Sequence, residues 1–468
     1  MDHENRVEWN IDVGDKSLQI LEPKNESILM RLRDKLKALF IRVRRFLKKT
    51  WDLGVDDPRR VYHCLKVGLA LTLVSFFYYI RPLYDGFGGN AMWALMTVVV
   101  VFEYTVGGTL YKCLNRICAT FLAGFLALGV NWVAAQSGHR FEPVIMGISL
   151  FVIASVTTYS RFIPLVKARY DYGCTIFILT YGLVLVSGYR VENLMDEAMQ
   201  RLSTIILGTC LCIVISMLVF PVWAGMELHI LISSNLNKLA NSLDSCVYEY
   251  FSDGDEESKN KIEDYRCVLN SKASEESMSD FARWEPAHGE FSFRYPWKIY
   301  IKIGSSSRSC AYCIETLISR LDSKNRVPET IRHHVSASCL RLSLSTSDVI
   351  RKLSTSVFSM TRSTQMDRAV IEMKNAVQQL QNDVKSLPDL LIRSHTKHEL
   401  LELIPMVTFI SLLIEIASKI GSIIKVVEEL AQVAKFRHTE DEREIQNTLA
   451  ATKIANKEEN MKVLQINV

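Results

Sequence analysis

No Gly-Lys-Ser or Gly-Lys-Thr follows the cluster Gly86, Gly88 and Gly89, so the chain lacks a phosphate-cradling loop and with it the basis for an ATP-driven pump. Its eleven cysteines are scattered through apolar and polar stretches alike, which supports neither a disulfide framework nor a zinc site. Cys310 and Cys313 form a lone Cys-x-x-Cys, and His333-His334 has no third ligand nearby. Trp284-Glu285-Pro286 has no paired acid, nucleophile or base beside it, so Glu285 reads as part of a structural corner rather than as a catalytic carboxylate. No early apolar stretch carries a cleavage site behind it, and no secretory signal peptide is expected. Neither an enzyme nor a cofactor is indicated.

What the chain has in quantity is apolar sequence, unevenly spread. Of its 468 residues 49% are hydrophobic, and the net charge of +4 averages two different environments. Six apolar stretches fill residues 58–223. They run over about 58–80, 90–106, 107–133, 142–159, 171–188 and 193–220, each near the ~20 residues that cross hydrocarbon. Pro58, behind Asp56 and Asp57, is a good first helical residue, and Pro82 and Pro221 stop the first and last stretches.

Three stretches carry a cation well inside. Lys66 lies roughly 12 Å into the first, Arg116 about two turns into the third, and Arg201 at similar depth in the sixth, entering from the opposite side. A cation facing lipid at mid-depth costs at least ~2.5–3.5 kcal/mol, so such residues face a partner or a watery cavity. Three in one small bundle favour a cavity, and therefore an anion pathway.

Eleven cations between Arg31 and Arg60 stand against four aspartates, which places the N-terminus in the cytosol. Within that segment Leu32, Leu36, Leu39, Phe40, Val43, Phe46 and Leu47 share one helical face. Such a helix suits the anionic inner leaflet or packing on a cytosolic domain equally. Beyond Trp223 the pattern changes to soluble amphipathic helices. Residues 403–427 are apolar enough for a seventh span, but Glu415, Lys419 and Lys425 leave a polar stripe that favours a buried amphipathic helix. The expected architecture is an all-α membrane protein. It has a cytosolic N-terminal segment (1–57), a six-span pathway (58–223), a helical cytosolic domain (224–437) and a charged tail (438–468).

Several runs then carry a family resemblance. Asp57-Pro58-Arg59-Arg60, Asn90-Ala91-Met92-Trp93-Ala94 with Met96-Thr97-Val98-Val99-Val100-Val101-Phe102-Glu103, Leu114-Asn115-Arg116, Pro221-Val222-Trp223-Ala224-Gly225, and Trp284-Glu285-Pro286 with His288-Gly289 resemble the plant aluminium-activated malate transporters. The resemblance covers about residues 51–436. It implies a channel for malate and other anions, built as a homodimer with six spans and a helical cytosolic domain per subunit. The family's intramembrane cations match Lys66, Arg116 and Arg201, and its acid closing the second span matches Glu103.

Arginine presents a planar fork that binds a carboxylate through two parallel hydrogen bonds, whereas lysine acts more as a point charge. Under two-fold symmetry each cation appears twice, giving a basic ring that replaces part of a dianion's hydration. Glu103 is expected to moderate that field by pairing with Lys66 or Arg116. The alternative is a proton-coupled exporter of organic acids, for which Glu103 is the membrane-embedded carboxylate to consider. At the outer mouth, Asp85, Glu192 and Asp196 offer hard oxygen ligands to Al3+, which would bridge two loops and favour an open state. Membrane lipid surrounds the spans, and the plasma membrane is preferred over the tonoplast. Ser354, behind Arg351-Lys352, is a short match to a basic-directed kinase site.

Overall fold

The computed structural model describes residues 25–80, 91–138, 140–188, 194–252, 261–289, 295–321, 329–362, 365–393 and 400–438. The fold is all-α, apart from a parallel pairing of Thr361–Arg362 (β1) with Arg437–His438 (β2). The chain divides into two compact units at Cys64. The first holds α1 (Asn25–Asp56) and the opening turns of α2 (Pro58–Tyr79). On α1 the apolar residues Leu36, Phe40 and Phe46 are exposed.

In the second unit α2 continues, followed by α3 (Ala91–Val101), α4 (Val106–Gln136), α5 (Glu142–Ser160), α6 (Pro164–Gly188) and α7 (Leu194–Leu218). The helices α4, α5 and α6, with Ala198–Leu218 of α7 and a late segment Leu403–Val433, make five among the described residues that are long and apolar enough to cross a membrane. Ala70, Val74, Ala94, Val98 and Cys212 form a core joining α2, α3 and α7, with Cys113 of α4. A second core joins α4, α5 and α6 through Ala123, Ala127, Met146, Tyr181 and Leu185. Small residues on α4 let the neighbouring backbones approach closely.

Two boundaries differ from expectation for local reasons. The second apolar stretch is helical only to Val101, short of its expected end at residue 106, and its described part, Ala91–Val101, rises about 16 Å. Beyond it the chain turns back: Glu103 N–H donates to Thr109 Oγ1, and Thr105 caps α4 by accepting from Gly108 N–H at 3.2 Å. The fifth stretch is longer than expected. Pro164 supplies the first residue of α6, and Asp171, rather than opening the helix, lies inside it and receives Arg161 Nε at 2.7 Å and Nη2 at 3.2 Å.

From Ala224 onward come α8 (Ala224–Phe251), α9 (Tyr265–Asn270), α10 (Lys272–Ala282), α11 (Trp297–Ile318), α12 (Glu329–Ser359), α13 (Gln365–Arg393) and α14 (Leu400–Val433). They share one core, in which Leu228, Leu236, Leu243, Ile303, Ile314, Leu342, Ile350, Phe409 and Leu413 are buried. α14 contributes Phe409, Leu413, Ile416, Ile420 and Ile423 to that core and carries Glu415, Lys419 and Glu429 on its other faces. Glu429 binds Lys302 of α11 at 2.9 Å. The segment is therefore amphipathic in its packing, despite its mean hydropathy.

Candidate functional site: a cationic cavity and its inner junction

The helices α3, α4, α6 and α7 surround a cavity of about 240 Å³ into which both Arg116 and Arg201 reach. Its wall is largely apolar and aromatic, with Trp93, Phe121, Phe125, Leu128, Ile176 and Leu183, to which Thr120 and Thr180 add hydroxyls. Arg116 is 6% exposed and lies beside Tyr172, while the Arg201 guanidinium stands over the Trp93 ring, 5.2 Å from its centroid. No carboxylate appears among the described residues lining the cavity. Two guanidiniums in a low-dielectric pocket make it strongly attractive to an anion small enough to enter.

The other expected residues lie elsewhere. Lys66 is nearly sealed, at 2% exposure, and its ammonium donates to the Phe220 carbonyl at 2.6 Å. That carbonyl follows the end of α7, where Phe220 takes φ of 43° as the chain leaves the helix, so Lys66 serves as a C-terminal cap. Glu103 pairs with neither Lys66 nor Arg116. Its partner is Lys112, whose ammonium also lies 5.5 Å from the Tyr172 ring centroid. The reason is the turn after Val101, which brings Glu103 alongside the first turns of α4. Of the outer acids, Asp196 is exposed on α7, while Asp85 and Glu192 lie outside the described residues. Ser354 is buried in the later helices and hydrogen-bonded to Ser233 Oγ at 2.9 Å, which removes it as a kinase target in this fold.

Below the cavity, one buried carboxylate ties three segments together. Glu285 accepts Gly107 N–H at 3.2 Å from the start of α4, and both Ala224 N–H at 2.5 Å and Gly225 N–H at 3.1 Å from the start of α8. It thus caps two helices at once and lies at the positive end of both dipoles. Burial pushes its carboxyl above the ordinary range, while the three amide donors pull the other way. Glycine is required at two of these positions by close approach: a Cβ at Gly107 would strike the Phe281 carbonyl, and one at Gly225 would strike the Trp297 ring. Val106 N–H donates to Val222 O at 2.9 Å, and Tyr111 packs on Phe281 and Trp284. The corner expected at Trp284-Glu285-Pro286 is therefore the junction between the apolar helices and the module of α8 to α14.

Thr120 and Lys112 were not among the site residues expected from sequence, and Trp93 was named only within the run that carries the family resemblance. Thr120 was findable, because it sits four residues beyond Arg116 and so on the same helix face. Trp93 and Lys112 had no local signal of this kind, since their partners are distant or lie across a turn.

Residues 51–400 match the family model for aluminium activated malate transporters. The chain is 46% identical over 472 residues to aluminum-activated malate transporter 10 of Arabidopsis thaliana, covering 92% of this chain and 95% of that one. With aluminum-activated malate transporter 2 of the same plant it shares 44% over 406 residues, covering 85% and 79% of the two chains. With aluminum-activated malate transporter 1 of Triticum aestivum it shares 39% over 423 residues, or 88% and 90%. These relatives are transporters rather than enzymes. An all-α membrane protein, with its sequence matched from before the first apolar helix to the start of α14, the chain belongs to the aluminium-activated malate transporter family.

Proposed function

We propose that this chain is an anion channel that passes malate and other organic or inorganic anions down their electrochemical gradient. The observation that carries the reading is the convergence of Arg116 and Arg201 on one cavity within the apolar helices. An arginine fork matches a carboxylate, and two of them match a dicarboxylate. The exporter alternative is weakened because Glu103, its best proton carrier, is engaged by Lys112. In this reading α2 to α7 make the six-span pathway, and α8 to α14 form the cytosolic domain. α1 lies on the anionic inner leaflet with its apolar side in lipid. A homodimer in the plasma membrane doubles the cationic set around a common path.

The test is electrical. Arg116→Ala and Arg201→Ala, each confirmed at the membrane surface, should lower malate current and reduce the malate-to-chloride permeability ratio about tenfold, the scale of one charge-assisted contact. Wild-type ratios in both variants would remove the cavity from the pathway. A reversal potential that follows the proton gradient rather than the anion gradients would replace the channel with an exporter.

A further inference from the structure

Buried threonines on the apolar helices have a regular habit in this protein. Thr97 donates its hydroxyl to Trp93 O at 2.7 Å, Thr109 to Thr105 O at 3.1 Å, Thr204 to Arg201 O at 2.9 Å and Thr209 to Ile206 O at 2.8 Å. A helical threonine returns its hydroxyl to the preceding turn in this way because the interior supplies no water to satisfy it. Thr120 departs from the habit. It is only 6% exposed, and among the described residues its Oγ1 has no hydrogen-bond partner. Arg116, one turn earlier on α4, likewise leaves its Nε without a hydrogen bond, and both residues line the cavity that also receives Arg201. A hydroxyl left unmet in an apolar enclosure is a standing cost, relieved when a ligand atom arrives to accept from it.

We propose that Thr120 is a specificity-determining residue of this cavity, a neutral donor that completes the coordination of a carboxylate held by Arg116 and so favours carboxylate-bearing anions over halides. The proposal rests on the channel reading. A carboxylate has two oxygens and about four lone-pair positions, more than one guanidinium edge can fill. In water the remainder is met by solvent, whereas the apolar side chains of Phe121, Phe125 and Leu128 offer no donor, so each oxygen left short of one is expensive. The Thr120 hydroxyl, one turn along the same face, supplies the missing donor and carries no charge of its own. A halide is a single centre that the guanidiniums surround without the hydroxyl, and it loses less when the hydroxyl is removed.

Thr120→Val keeps the shape and deletes the hydroxyl, while Thr120→Ser keeps the hydroxyl and deletes the methyl. Reversal potentials under opposed malate and chloride gradients should show the malate-to-chloride permeability ratio falling about tenfold in Thr120→Val, with chloride conductance retained, and recovering in Thr120→Ser. Thr209→Val, which deletes a hydroxyl already spent on its own helix, should leave the ratio unchanged. An unchanged ratio in Thr120→Val, or an equal fall in Thr209→Val, would overturn the proposal. If Arg116→Ala shifts the ratio and Thr120→Val does not, the role of Thr120 fails alone. If neither shifts it, the cavity itself is not the pathway.

Discussion

Lys66 shows how one charged residue can be explained in two ways that differ in what its loss would do. From sequence it ranks with Arg116 and Arg201 as an intramembrane cation, yet its ammonium is committed to the Phe220 carbonyl at 2.6 Å and it is almost wholly enclosed. A buried charge held by a carbonyl stabilises a helix end, and removing it leaves that carbonyl unmet at a cost of about 1–3 kcal/mol. Lys66→Met should therefore lower the thermal unfolding temperature of the detergent-purified protein by several degrees, with a smaller change in permeability ratio than Arg116→Ala causes. Lys66→Arg keeps donor and charge and should be milder than Lys66→Met, with some loss from crowding. Wild-type thermal stability in Lys66→Met alongside altered selectivity would return Lys66 to the pathway. Arg201 differs because its guanidinium faces the cavity over Trp93, where a cation–π contact of about 0.5–2 kcal/mol holds its orientation without neutralising it.

At the scale of elements, the junction under the cavity gives the later helices a rigid grip on α4, the helix that carries Arg116 and Thr120. Glu285 is the common acceptor for the starts of α4 and α8, and Gly107 and Gly225 are points of close approach there. Gly107→Ala would force the start of α4 away from Phe281, moving the helix that carries the cavity's donors. Glu285→Gln is the finer probe: it keeps the shape but replaces one accepting oxygen with an NH2 group that meets an amide donor head-on. It should lower the unfolding temperature and reduce whole-cell current per surface-localised protein severalfold, because a buried donor left unmet costs about 1–3 kcal/mol. Glu285→Gln with wild-type stability and current would show that the junction needs only steric fit. The apolar helices were legible in sequence because proline starts and stops and the ~20-residue length are local signals. The end of α3 at Val101 was not, because Phe102, Tyr104 and Val106 continue the apolar run past Glu103 while the turn depends on Thr105 and Thr109. The start of α6 was not either, because Asp171 looks like a helix opening until Arg161 is seen to reach it across the turn. Pairing across turns also hid the true partner of Glu103. A cavity was legible as a need, since three cations at depth favoured one, and Arg116 and Arg201 line it while Lys66 finds a partner in the Phe220 carbonyl; Trp93 became visible as part of it only once α3 and α7 were packed together.

For the whole molecule, the question left by the site's geometry is how an outer signal would reach a cavity between α3, α4, α6 and α7. Asp196 stands exposed near the start of α7, the same helix that carries Arg201 into the cavity, and the other two expected ligands, Asp85 and Glu192, precede α3 and α7 in sequence. A hard trivalent cation draws together carboxylates that otherwise repel, and a helix is stiff enough to carry a shift of its first turn to a residue two turns on. Al3+ bound there would therefore act on Arg201 and Trp93 through α7 and α3, changing the cavity's opening rather than its charge. As a hypothesis, micromolar Al3+ at acidic external pH should increase wild-type current, while Asp85→Asn, Glu192→Gln and Asp196→Asn should each abolish the increase and leave basal current intact. The malate-to-chloride ratio should stay at the wild-type value in Asp196→Asn, since Asp196 is not among the described residues that line the cavity with Arg116 and Thr120. A wild-type protein indifferent to Al3+ would remove the outer site, and variants that changed the ratio without changing the response would place these acids along the permeation path instead.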